Sequence, residues 1–290
     1  MATNTPFGQR LGLVLEGGAM RGIYTAGVLD VFLEAGIMPD VVVGVSAGAL
    51  HGCSYVAGQK GRSIRYYRKY RSDKHFMGLY SLLTTGDVVG TKFCYEDIPL
   101  RLDPFDEAAF EKAPVDFYVT VTNVRTGKPE YILCDELKVG SKMDVIRAGA
   151  SMPLCSKMVE WNGNLYLDGG VSDSIPYAKM KDFGCRKSIV VLTQPAGYLK
   201  QPAAMAPFEA MYRKYPAFVE AMRGRDQMYN TEVCAVEQAA KQGDVFLIRP
   251  SKLLHVGRME HDIEVLNAQY ELGRQDARKQ MDAMREWMER

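Results

Sequence analysis

The stretch Val41–Leu50, VVVGVSAGAL, constrains this chain more than any other. Its β-branched start reads as a buried strand. It ends in Gly44-Val45-Ser46-Ala47-Gly48, followed by small residues compatible with a helix. This is the G-x-S-x-G spacing of a nucleophile elbow, where a strand turns sharply into a helix with a serine at the apex. The turn strains the serine backbone, and the flanking glycines let the chain pass without side-chain clashes. The hydroxyl is held at a strand end, with a helix N-terminus behind it to favour developing negative charge. An ordinary Gly-rich turn carries the same five residues, so the context decides.

Upstream, Leu11–Leu15 (LGLVL) reads as a buried parallel strand running into Glu16-Gly17-Gly18-Ala19-Met20-Arg21-Gly22. A helix with apolar Ile23, Ala26, Val28, Leu29 and Phe32 comes next, closed by Gly36, and Pro39-Asp40 introduces the elbow strand. The order is that of a βαβ crossover unit. The Gly loop fails as a dinucleotide fingerprint at Ala19, and no acidic residue ends the second strand. No Gly-Lys-Ser/Thr comes after it, which excludes a P-loop. An oxyanion hole remains: the N–H groups of Gly18 and Ala19 would face the neighbouring strand end that carries Ser46.

Downstream, residues 49–75 are expected to be helical. Arg62, Arg65, Arg68, Lys69 and Arg71 alternate there with Tyr66, Tyr67 and Tyr70. That half reads as a solvated face with tyrosines docked on the core, or else as a membrane-surface or anionic-ligand patch. Residues 76–112 read as irregular with short helices. Strands are expected over 116–124 and 130–134, and a helix over 141–149. A hairpin through Asn162-Gly163-Asn164 then delivers Asp168-Gly169-Gly170. Beyond it lie a short helix over 177–183, a strand over 188–192, a helix over 226–242 and a strand over 245–248. One or two amphipathic helices complete the chain from residue 260. The Met/Phe/Tyr/Pro-rich run over 198–222 reads as a mobile lid or an interface that touches a membrane, with Phe208, Tyr212 and Phe218 as its candidate contacts, or as a helical excursion packed on the core or on another subunit.

With 290 residues and a 47% hydrophobic content, the chain is read as one domain, 1–290. Its catalytic core is placed at 10–195, with a C-terminal strand-and-helix extension, 196–290, packed on it. A net charge of +1 argues against nucleic-acid binding. The N-terminal MATNTPFGQR carries no secretory pattern, and no run of about 18 apolar residues suggests a membrane span. Six cysteines without C-x-x-C spacing read as reduced thiols of a cytoplasmic protein. Histidines 51, 75, 255 and 261 show no metal-ligand grouping, so no metal is expected.

A serine needs a base. One arrangement is a triad of Ser46, Asp168 and His255 or His261, in the chain order of α/β-hydrolases. Against it, the elbow comes directly after the second strand, too early for that fold, and His51 would point along the elbow helix. The other arrangement is a Ser–Asp dyad. Here Gly17-Gly18-Ala19-Met20-Arg21-Gly22, Gly44-Val45-Ser46-Ala47-Gly48 and Asp168-Gly169-Gly170, in this order, resemble the patatin-like phospholipase family, most strongly its small bacterial members. Ala150-Ser151-Met152-Pro153 and Ser174-Ile175-Pro176 add to the likeness, which covers residues 10–195.

The resemblance implies an α/β fold of three α/β/α layers around a mostly parallel central sheet, with the elbow after the second strand. It implies Ser46 as nucleophile, Asp168 as its base and only side-chain partner, and Gly17, Gly18 and Ala19 as the oxyanion loop. Arg21 would brace that loop or meet an anionic head group, and Gly22, Gly44, Gly48, Gly169 and Gly170 would support the turns. No cofactor is implied; the partner is a lipid ester, phospholipid or lysophospholipid, with peripheral membrane contact. Ala19 departs from the pattern, because the family often has a third glycine there. Two further readings are a lipid- or acyl-binding regulator without turnover, and an esterase or thioesterase for other substrates.

Overall fold

The computed structural model describes residues 5–290, so the first residues of the N-terminal MATNTPFGQR lie outside the described residues. Eight strands form one sheet: β1 (Arg10–Leu15), β2 (Val41–Val45), β3 (Asp116–Asn123), β4 (Pro129–Leu133), β5 (Val159–Trp161), β6 (Asn164–Asp168), β7 (Cys185–Val191) and β8 (Val245–Ile248). The order is β5-β6-β3-β2-β1-β7-β8, with β4 on β3 as well. Strands β3, β2, β1, β7 and β8 run parallel. Strand β4 and the β5–β6 hairpin add the antiparallel edge. The hairpin turn has positive φ at both central residues, Asn162 (47°) and Gly163 (74°), as a right-twisted two-residue turn requires.

Side-chain alternation sorts the strands into two buried faces. Leu13 and Leu15 of β1, Val42 of β2 and Ile189 and Val191 of β7 point into one core. Val14, Val41, Val43 and Val190 point into the other. The first face is covered by α1 (Ile23–Glu34), α2 (Ala47–Val56), α6 (Met143–Gly149) and α10 (Ile263–Glu289). The second is covered mainly by α9 (Arg225–Gln242). Between these lie α3 (Arg62–Tyr70), α4 (Leu79–Thr85), α5 (Glu107–Lys112), α7 (Ala206–Met211) and α8 (Pro216–Arg223). The three-layer α/β/α expectation holds.

Several local expectations are corrected. The helix expected over 49–75 is two, α2 and α3, broken where Gly58 (φ +66°) and Gly61 (φ +72°) leave the helical region. Residues Phe93–Leu102 form a π-helical segment containing Pro99. On α3 the tyrosines dock on the core as expected, but Arg62 and Arg71 are buried too. Their guanidiniums donate to the backbone carbonyls of Asp103 (2.9 Å) and Glu260 (2.6 Å), so neither belongs to a surface patch. In the 198–222 run, Tyr212 and Phe218 are buried, and the Tyr212 hydroxyl accepts from Leu154 N–H at 3.0 Å. The packed excursion describes these two residues; membrane contact does not. No described helix is long and apolar enough to cross a membrane.

Helix α1 is buried on every face over Ile23–Phe32, the outer one by α10, and is apolar there with Thr25 and Asp30 as its polar exceptions. The two helices cross at glycines. A Cβ at Gly27 would lie 2.1 Å from Tyr270 O, and one at Gly273 would lie 2.1 Å from Tyr24 O. Tyr270 also donates to Asp30 at 2.6 Å, and Tyr24 to Asp276 at 3.1 Å. Gly273→Ala should therefore force the helices apart and cost about 1–3 kcal/mol, the usual range for overpacking. A urea midpoint equal to the parent's would refute so close a crossing.

Candidate active site

Ser46 sits at the carboxyl end of β2 with φ 52° and ψ −121°. Such a setting costs an L-residue about 1–3 kcal/mol and persists only where its surroundings enforce it. Here the enforcement is lack of room. A Cβ at Gly44 would lie 2.5 Å from Ala49 Cα, and one at Gly48 would lie 2.3 Å from Leu15 O. Both flanks of the turn press on backbone, which is the physical content of the glycine spacing.

Asp168 reaches the serine along β3. Strand β2 pairs with β3 as far as Val45↔Thr120. One residue on, Val121 pairs with Asp168 of the antiparallel β6. The other edge of β3 is taken by β4 through Thr122, so β6 continues along the edge that β2 leaves. The two strands meet end to end. Ser46 Oγ donates to Asp168 Oδ2 at 2.6 Å, and Asp168 Oδ1 accepts from Gly170 N–H at 2.8 Å. The aspartate backbone is pinned as well: its N–H donates to Ser151 O at 2.9 Å, and its carbonyl accepts from Thr122 Oγ1 at 2.8 Å. Ser174 Oγ donates to Gly170 O at 2.9 Å and fixes the short turn Gly169–Val171. Burial pushes the Asp168 carboxyl above its ordinary value, opposed by the Ser46 hydrogen bond and the Arg225 charge.

The Gly loop lies beside Ser46, closely enough that a Cβ at Gly17 would stand 2.8 Å from Ser46 Cβ. Among the described residues, the N–H groups of Gly17, Gly18 and Ala19 have no protein acceptor. Ala19 adopts φ 49°, so its methyl is carried at a left-handed position that glycine would occupy without strain. Gly22 precedes α1. The Arg21 guanidinium lines the cleft and donates to no described acceptor, so it does not brace the loop by hydrogen bonding.

No histidine joins Ser46 and Asp168. His51 is buried on α2, pushed down to about 4 by burial, with both ring nitrogens unpartnered. His255 and His261 are exposed. The triad arrangement is not formed.

Two cavities meet at the serine, and Ala19, Ser46 and Met152 border both. One, of about 100 Å³, is apolar, with Met20, Leu50, Tyr67, Phe76, Ile98 and Met143 in its wall. It runs along the face of α2 that presents Ala47, Leu50 and Cys53. The other, of about 190 Å³, is the more polar of the two: Phe208, Met222 and Met259 line it, but so do Glu16, Arg21, Asp168, Lys200, Arg225 and Arg258. Of these, Glu16, Lys200, Arg225 and Arg258 are not legible as site residues in the sequence. Glu16 directly follows β1, where its buried carboxylate accepts from Thr193 N–H (2.5 Å) and Tyr229 OH (2.9 Å). Arg225 opens α9 and donates from Nε to Gly170 O at 2.5 Å, tying that helix to the turn after Asp168.

The family model described as patatin-like phospholipase matches residues 13–180, and one for a domain of unknown function (DUF6363) matches 215–289. The uncharacterized protein YjjU of Escherichia coli is 28% identical over 273 residues, which cover 91% of this chain and 75% of that protein. A lysophospholipase nte1 of Aspergillus terreus is 30% identical over 182 residues, 61% of this chain and 11% of that protein. Lysophospholipase NTE1 of Saccharomyces cerevisiae is 30% identical over 190 residues, 63% and 11%. The chain thus spans about a tenth of the length of these lysophospholipases. Among solved structures, VipD from Legionella pneumophila matches with a TM-score of 0.47 and 13% identity, over 96% of this chain and 67% of that one. The match over residues 13–180 covers more than half of the chain, which therefore belongs to the patatin-like phospholipase family.

Proposed function

We propose that this protein is a serine acyl hydrolase that cleaves phospholipid or lysophospholipid esters through a Ser46–Asp168 dyad. The observation that carries the reading is the 2.6 Å contact from Ser46 Oγ to Asp168 Oδ2 at the junction of an apolar and a polar cavity. The apolar cavity suits an acyl chain and the polar one suits the rest of the ester. The relatives named lysophospholipase support the substrate class.

Asp168 takes the proton as Ser46 Oγ attacks the ester carbonyl carbon. The oxyanion so formed is met by the free N–H groups of Gly17, Gly18 and Ala19. Collapse breaks the bond to the leaving alkoxide, which receives the proton from Asp168 and leaves an acyl-enzyme. Water then attacks the acyl carbon and gives a proton to Asp168; collapse breaks the acyl–Oγ bond, Asp168 returns the proton to Ser46 Oγ, and the carboxylic acid departs. An ordinary carboxylate is a weak base towards a hydroxyl, and burial strengthens this one.

Membrane contact belongs to the same reading, at α4 rather than at Tyr212 and Phe218. Leu79 and Leu83 are 70% and 77% exposed one turn apart. Met77 and Val89, on either side of α4, line the apolar cavity. Lys74 lies over the Tyr80 ring, and Lys157 donates to Thr85 O at 2.6 Å, so cations flank the leucines. A helix of this kind suits an anionic lipid surface.

Ser46→Ala should abolish turnover of long-chain lysophospholipid and labelling by a fluorophosphonate; labelled Ser46→Ala protein would sink the nucleophile assignment. Asp168→Asn should lower kcat by about 10²-fold or more, the lower end of what general-base loss costs. The same substitution should raise stability. Asp168 has a folded-state pKa above its unfolded value, so it weakens the fold as pH rises between the two, and the full cost is present above the folded value. Thermal midpoints should therefore favour Asp168→Asn at pH 8 and converge with the parent's as pH falls below the raised pKa. A variant less stable at pH 8 would contradict this. For membrane contact, Leu79→Glu with Leu83→Glu should reduce sedimentation with phosphatidylglycerol vesicles several-fold, and undiminished sedimentation would exclude α4.

A further inference from the structure

Four cations converge on the polar cavity without carboxylate partners. Elsewhere in the chain arginines pair as usual: Arg249 with Glu237 at 2.7 Å and Arg274 with Glu34 at 2.9 Å. Among the described residues, Arg21, Lys200, Arg225 and Arg258 form no such pair, although all four line one cavity. Arg225 spends Nε on Gly170 O and keeps its two terminal nitrogens free. The Nε of Arg21 is buried with no partner. The two carboxyls of the cavity are engaged with other donors. Glu16 accepts from Thr193 and Tyr229, and Asp168 from Ser46 and Gly170.

We propose that Lys200, Arg225 and Arg258, with Arg21, form a binding subsite for a phosphate group, that of the lipid whose acyl ester lies at Ser46. This rests on the hydrolase reading and names the residues that would hold the phosphate of its phospholipid or lysophospholipid substrate. The room is sufficient, since the cavity of about 190 Å³ exceeds the ~150 Å³ that accommodates a benzene ring. The chemistry fits a phosphate better than a carboxylate. Guanidiniums engage two oxygens of one anion at once, and a tetrahedral phosphate offers oxygens to several such groups together. The crowding of like charge is already felt: burial and the adjacent arginines push the Lys200 ammonium down to about 8, against the opposing pull of Glu16. A bound phosphate would reverse that repulsion.

The origin of these cations gives the C-terminal part of the chain a role. Lys200, Arg225 and Arg258 all lie beyond residues 13–180, and the last two fall within the 215–289 segment whose family has no known function. The nucleophile, base and oxyanion loop come from the patatin-like segment, and three of the four cations that would hold the phosphate come from the residues C-terminal to it, Arg21 being the fourth.

Arg258 is exposed on a loop and Lys200 half-buried, so Arg258→Gln and Lys200→Gln can be compared as folded full-length proteins. The experiment measures kcat/KM for a lysophosphatidate and for the monoacylglycerol with the same acyl chain. The ratio should fall about tenfold in each variant, the loss expected for one charge-assisted contact. In parallel, glycerol 3-phosphate and inorganic phosphate are titrated by calorimetry into Ser46→Ala protein with and without each variant. Saturable binding that weakens about tenfold in the variants is expected. Binding of inorganic phosphate but not of glycerol 3-phosphate, with an unmoved ratio, would assign the site to free phosphate and overturn the lipid proposal. A protein that hydrolyses both lipids with an unmoved ratio and binds neither anion would overturn the subsite and leave the hydrolase standing. Anion binding that the variants weaken, in a parent that hydrolyses no ester, would keep the phosphate site and overturn the hydrolase reading.

Discussion

The site depends on one edge of one strand. Strand β3 gives its first five residues to β2 and its last three to β6, and the handover between Thr120 and Val121 sets the two strand ends face to face. Ser46 and Asp168, 122 residues apart in sequence, are thereby neighbours before any side chain chooses a rotamer. The strain at Ser46 is then sustained by backbone packed against Gly44 and Gly48. The arrangement is rigid in the sense that matters for catalysis. Held by sheet register and by contact with main chain, Ser46, in its proposed role as nucleophile, would not need the reacting ester to organise it.

Polarity is divided at the same point. The apolar cavity runs along α2 under aromatic and methionine side chains, while the polar one opens towards the start of α9 and the loops that precede α7 and α10. Arg225 belongs to both the structure and the electrostatics of this side. It fixes the turn after Asp168 through Gly170 O, and its charge favours the ionised aspartate that burial disfavours. The proposed base would thus be strengthened by desolvation while a half-buried cation keeps its charged form accessible.

What the sequence disclosed were features that are local in the chain. The elbow, the Gly loop and the Asp-Gly-Gly turn each express a steric demand of a few consecutive backbone atoms, and such demands leave glycines at fixed spacing. The strands were legible from β-branched runs because both faces of the sheet are buried. Where the answer depended on distant parts of the chain, the residues gave no sign. Lys200, Arg225 and Arg258 share no spacing and meet only in the folded cavity. Arg71 looked like a surface charge because its partners are main-chain carbonyls, and Arg62 because its partners, Ser54 and Asp103, include one 41 residues away with no shared spacing. The aromatic run over 198–222 was ambiguous for the same reason: whether Tyr212 and Phe218 face lipid or core depends on how the excursion lies against Val124, Leu167 and Val171.

The seam of glycines between α1 and α10 also bears on how the fold is reached. Helix α1, second among the elements that define the site, is covered by a helix whose contacting residues lie 240 or more positions further along the chain. Loop-closure entropy for so long a separation must be met before the buried face of α1 is complete. Contacts of this range are characteristic of slow folding. During synthesis the β1–α1–β2 unit that carries Ser46 would therefore emerge early and remain uncovered on one side until residues 263–289 are available to close it.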